Sequence, residues 1–73
     1  MNLRAMKEEV KLFSTPIVAI VEVAIAPSHS GRVKCMGTYW PARLYHNDCN
    51  LTLEPNQKVQ VVGIANITLL VVR

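Results

Sequence analysis

Ser28, His29 and Ser30 stand side by side, and a hydroxyl next to an imidazole is the pairing from which nucleophilic catalysis is assembled. Neighbours along an extended chain point apart, however, and catalysis also needs donors placed for the developing charge. Lying between Pro27 and Gly31, the three are read as turn residues. Cys35 or Cys49 with His46 would make a thiol–imidazole pair, yet no local signature accompanies either and Cys35 falls in a strand pattern. Two cysteines with the isolated His29 and His46 also lack the close ligand pairs of a structural zinc site. The expectation is a chain with no catalytic residue, no metal and no cofactor, and so not an enzyme.

Recognition chemistry is better represented. Tyr39 and Trp40 are adjacent, Pro41 follows, and Arg43 and Tyr45 come two and four positions later. Aromatic and arginine side chains anchor many interfaces, which makes Tyr39, Trp40, Arg43 and Tyr45 the candidate partner-binding residues. In an extended strand Pro41, Arg43 and Tyr45 share one face, and Trp40, Ala42 and Leu44 the other. Trp40, the one tryptophan, has two readings: an exposed anchor, or a ring that closes one end of a barrel.

The elements that must position these residues are short. Seventy-three residues leave room for one domain, and 51% of them are hydrophobic although only four are aromatic. A core built from Val, Ile, Leu and Ala points to strands, on which β-branched side chains pack well. Ile17 to Ala26 is about half the length of a membrane-spanning helix and holds Glu22, so it reads as a strand with both faces covered over part of its length. Glu22 is placed where that strand meets solvent or a bend. After the turn at Pro27–Gly31, residues 32–36 alternate polar and apolar, Gly37 interrupts, and residues 39–45 form the next strand. Pro41 confines its own position to an edge or a bulge. Pro55 suits the first central position of a turn over Glu54–Gln57. Residues 58–64 and 67–72 then form a hairpin about Ala65-Asn66.

Leu3, Met6, Val10 and Phe13 recur at steps of three and four with charged residues between them, which predicts a short amphipathic helix or, failing a partner, a frayed segment. Pro16 marks its end. The organisation expected is therefore an N-terminal amphipathic or flexible segment over residues 1–16 and a barrel over 17–73. Its fold class is all-β, a small five-stranded barrel of the OB type, in which closure removes aggregation-prone edges. Gly31, Gly37 and Gly63 are its structural turn residues.

The formal charge is +3, with the eight basic residues spread along the chain, which weighs against a nucleic-acid footprint. A single-stranded nucleic-acid barrel still stands as the alternative, with Tyr39, Tyr45, Arg32, Lys34 and Arg43 supplying stacking and charge. The discriminating feature is whether those side chains share one open face. Two free thiols and no segment resembling a signal peptide suggest a reducing, cytoplasmic setting.

Gly31-Arg32-Val33, the stretch Gly37-Thr38-Tyr39-Trp40-Pro41-Ala42-Arg43, the run Leu53-Glu54-Pro55-Asn56-Gln57-Lys58-Val59-Gln60-Val61-Val62-Gly63 and the closing Leu69-Leu70-Val71-Val72 together resemble the C-terminal domain of NfeD-like proteins over residues 24–73. The resemblance implies a five-stranded OB barrel and an accessory, adaptor-like partnership with a membrane-associated stomatin-, prohibitin- or flotillin-like protein. Longer members of that family carry membrane-spanning helices and in some cases a serine protease domain, neither of which is seen here. Contact with a membrane is then expected to be peripheral, through a partner or the N-terminal segment. Self-association through the first strand is a third possibility.

Overall fold

Five runs of β-branched and aliphatic residues become five strands: β1 (Val10–Val23), β2 (Gly31–Cys35), β3 (Thr38–Leu44), β4 (Lys58–Ala65) and β5 (Thr68–Val72). The structure is a computed structural model and describes residues 9–46 and 51–73. The strands close into a barrel in the order β1-β2-β3-β5-β4, with β4 returning to β1. Every pairing is antiparallel except β3 with β5. This is the Greek-key order of a small OB barrel.

Local chemistry explains where the chain reverses. Met36 (φ 52°) and Gly37 (φ 81°) both take positive φ, as the two-residue turn that best matches strand twist requires. At Glu54–Gln57 the Gln57 N–H donates to the Glu54 carbonyl at 3.1 Å, Pro55 holds the first central position and Asn56 (φ 72°) the second, the pattern of a type II turn. The turn is fastened to β1, since Asn56 N–H donates to the Val21 carbonyl at 2.7 Å and Val21 N–H to the Gln57 carbonyl at 2.9 Å. The Pro27-Ser28 turn is closed by paired bonds between Ala26 and His29.

Three expectations need correction. Val10 to Phe13 are strand and not the last turn of a helix: Val10, Lys11 and Leu12 pair with Ala65, Ile64 and Gly63 of β4. Long-range pairing overrides a local three-and-four spacing that is only a weak prior. The remainder of the expected helix, residues 3–8, lies outside the described residues. Pro16 does not end an element either. It falls in a wide bulge where Phe13–Pro16 on β1 face Val62 alone on β4, a place that tolerates a residue with no N–H. The last hairpin also turns one residue later than its sequence suggests. Ala65 pairs with Thr68, and Asn66 (φ 57°) and Ile67 make the connection.

The core is aliphatic. Val21, Ile25, Val33, Leu53, Val59, Val61 and Val71 are fully buried, and Phe13, Ile17, Trp40, Leu51 and Ile64 pack against them from the periphery. Ile25 and Leu53 exchange backbone bonds of 3.0 and 2.8 Å, which draws the loop before β4 across the barrel. Among the described residues no polar or charged side chain is buried.

Candidate functional site

The four aromatic and basic candidates from Tyr39 to Tyr45 are parted by the strand that carries them. Alternation along β3 turns Trp40, Ala42 and Leu44 inward and Tyr39 and Pro41 outward, as the strand period demands. Trp40 is half-buried and lines an apolar mouth at one end of the barrel together with Phe13, Ile17, Cys35, Met36 and Ile64. Its ring packs against the edge of the core. Arg43 is half-buried beside the Pro27–Ser30 turn, next to Ser28 and His29. Tyr45 lies past the end of β3, where its N–H donates to the Val71 carbonyl and its ring meets His46 edge-on at 4.7 Å. Six residue steps, about 20 Å of extended chain, separate it from Tyr39. Pro41 is placed as its missing N–H demands, because the β3–β5 ladder begins only at Ala42.

What the structure does gather is a row across four strands. Lys58 of β4 pairs with Ile20 of β1, Ile20 with Lys34 of β2, and Lys34 with Tyr39 of β3. Residues directly opposite on adjacent strands share a face, so the four side chains stand together on the outside of the barrel. The Lys34 ammonium lies 5.6 Å from the Tyr39 ring centroid, within reach of a cation–π contact. Tyr39 is 50% exposed, Ile20 38% and the neighbouring Val18 56%. Pro55 and Asn56 wall one side of a shallow depression floored by Ile20, Lys34 and Tyr39. At the edge of this face Glu22 occupies the β1 bulge between Val21 and Val23 and pairs with Arg32 at 3.3 Å, both side chains being about half exposed.

Sequence reading missed Val18, Ile20 and Lys58. It took Ile17–Ala26 as covered on both faces over part of its length, whereas from Val18 to Val23 only Ala19 and Val21 are buried and Val18, Ile20 and Val23 are exposed. The signal was available: Val18 and Ile20 have the parity of Glu22, which had to face solvent.

The glycines are fixed by close approach or by φ. A Cβ on Gly31 would lie 2.1 Å from the Val23 carbonyl oxygen, and one on Gly63 would lie 2.5 Å from the Lys11 carbonyl oxygen, so both hold strands against β1. Gly37 has open space and is required by its φ alone. Cys35 is a free, buried thiol at the barrel mouth, and burial pushes its pKa above the ordinary value of 9.0. Cys49 lies outside the described residues. Among the described residues no three His, Cys, Asp or Glu side chains come together to hold a metal, and no helix is long and apolar enough to cross a membrane. Ser28, His29 and Ser30 are exposed in their turn.

A closed five-stranded barrel with an apolar interior and an exposed mixed apolar and cationic face is a binding module. Residues 17–73 match the family described as the NfeD-like C-terminal, partner-binding domain, and the chain belongs to that family. Its barrel is similar to that of the soluble domain of a membrane protein implicated in regulation of membrane protease activity from Corynebacterium glutamicum. That likeness has a TM-score of 0.70 and 27% identity over 81% of this chain and 89% of the other. It is also similar to the C-terminal domain of stomatin operon partner protein 1510-C from Pyrococcus horikoshii, with a TM-score of 0.66 and 30% identity over 80% of this chain and 83% of the other. No curated protein matches it in sequence.

Proposed function

We propose that this chain is an adaptor that docks, without catalysing a reaction, on a membrane-associated stomatin-like protein, the class that also takes in prohibitin- and flotillin-like scaffolds. Membership of a partner-binding family supports a docking role. The observation that carries the choice of partner is the shared barrel and 30% identity with a domain described as a stomatin operon partner. Peripheral residence at the cytoplasmic side of a membrane follows from such a partner. Docking would use the exposed side chains around Tyr39, with Arg43 and Tyr45 belonging to a second, more polar end of β3.

The test is co-purification. The tagged chain, incubated with detergent-solubilised native membranes and washed at moderate salt, is expected to retain a stomatin-, prohibitin- or flotillin-like protein identified by mass spectrometry. Retention of none of the three classes would refute the adaptor. A second reading has one specific observation in its favour. Arg32, Lys34 and Tyr39 share the outer face of β2 and β3, the strands with which OB barrels hold oligonucleotides. Against it, Glu22 already neutralises Arg32, and one tyrosine makes a poor stacking platform. Salt-dependent binding of a single-stranded oligonucleotide, read by fluorescence anisotropy, would favour this second reading over the first.

A further inference from the structure

Resting on the adaptor reading, we infer that the docking surface is the outer face of β4, β1, β2 and β3 centred on Ile20, and that its occupant is an apolar protein segment bearing carboxylates about 10 Å apart. The spacing follows from the register. Lys58, Ile20 and Lys34 are opposite one another on three adjacent strands, so the two ammonium groups flank Ile20 two strand spacings apart, about 10 Å at the level of the backbone. An extended segment spans that distance between residues three apart, and a helix between residues about seven apart.

Charge complementarity selects the partner. Among the described residues Glu22 is the acidic side chain on this face, and Arg32 already holds it at 3.3 Å. Lys34 and Lys58 have no ion pair of their own among those residues. Between them lies Ile20, with Val18 two residues away on β1 and Tyr39 beyond Lys34 on β3, and the exposed apolar surface of these three has no role in the barrel core. The fixed turn at Pro55-Asn56 gives the depression beside Ile20 a rigid wall, because backbone bonds tie it to Val21. An acidic and apolar segment would cover the aliphatic floor and neutralise both lysines at once. A nucleic-acid strand would meet the cations but would leave Val18 and Ile20 without stacking partners.

The experiment is a titration of the full-length, isotope-labelled chain with a purified stomatin-like protein, read by amide chemical shifts and repeated with Ile20→Lys and with a Lys34→Glu, Lys58→Glu double variant. The largest shifts are expected at Val18, Ile20, Lys34, Tyr39 and Lys58, with at least tenfold weaker binding in each variant. The double variant keeps the apolar floor, and a native-like amide spectrum in either one shows that the barrel is intact. Binding with shifts at the Trp40 mouth or the Pro27–Ser30 turn, unaffected by the variants, would overturn this surface and leave the adaptor reading standing. Absence of binding would remove the adaptor reading and the surface with it. The same shifts produced by a single-stranded oligonucleotide instead would overturn the protein segment as occupant.

Discussion

Gly31 and Gly37 look equivalent in the sequence and are held by different physics. At Gly31 a methyl group would drive into the backbone carbonyls of Val23 and Ala24, which can retreat only if the β1–β2 pairing is lost. At Gly37 a methyl group meets nothing, and only the left-handed backbone penalises it. Gly37→Ala is therefore expected to cost about 1 kcal/mol and Gly31→Ala more than about 2 kcal/mol, compared by urea denaturation. Equal losses would mean that the approach to β1 relaxes freely. Cys35 makes a second prediction at this scale. Its folded-state pKa is raised by burial, so the stability it contributes is complete below the unfolded value and declines as pH rises through the folded one. In a Cys49→Ser background, stability should fall above about pH 9 more steeply with Cys35 than with Cys35→Ala, and the Cys35 thiol should react slowly with a disulfide reagent until the chain unfolds. Rapid labelling of the native chain would contradict the buried position.

At the scale of the element, the β2–β3 hairpin is a place where the sequence falls short of its own backbone. Both turn residues take positive φ, yet Met36 fills the first with a side chain that is 77% exposed. Asn-Gly is the pair that such a turn favours, so Met36→Asn should raise stability by about 0.5–1 kcal/mol in thermal and urea unfolding. A loss would mean that Met36 contributes more at the apolar mouth than it costs in the turn. Those same local rules made β2, β3, β4 and β5 legible, since Pro55, Gly37 and the period-two alternation all act within a few residues. They misplaced the last turn by one position, because Asn66 supplies its positive φ at the start of the connection and not at its end. The first half of β1 was not legible. What holds Val10 to Leu12 extended is β4, more than fifty residues away along the chain, and the helix spacing of Leu3, Met6, Val10 and Phe13 says nothing about that pairing.

For the whole molecule, the deciding feature is the difference between the apolar surface that the barrel needs and the apolar surface that it has. Ile25 and Leu53 belong to the first class, and truncating either to Ala should cost about 2–5 kcal/mol because each is fully enclosed. Ile20 and Val18 belong to the second, and polar replacements there should leave unfolding midpoints nearly unchanged. The sequence reading could separate Trp40 from Tyr39 by strand parity. Parity with Glu22 also marks Val18 and Ile20 as exposed, but the apolar character of Ile17–Ala26 masks it, since hydrophobicity alone reports a tendency to be covered and not what does the covering. The most direct measurement is calorimetric titration of the chain with a purified stomatin-like protein at several temperatures and two salt concentrations. The account predicts saturable binding with a negative heat-capacity change, from burial of the Ile20 face, and an affinity that falls as salt screens Lys34 and Lys58. No saturable binding would contradict the adaptor, and binding indifferent to salt and temperature would contradict the surface assigned to it.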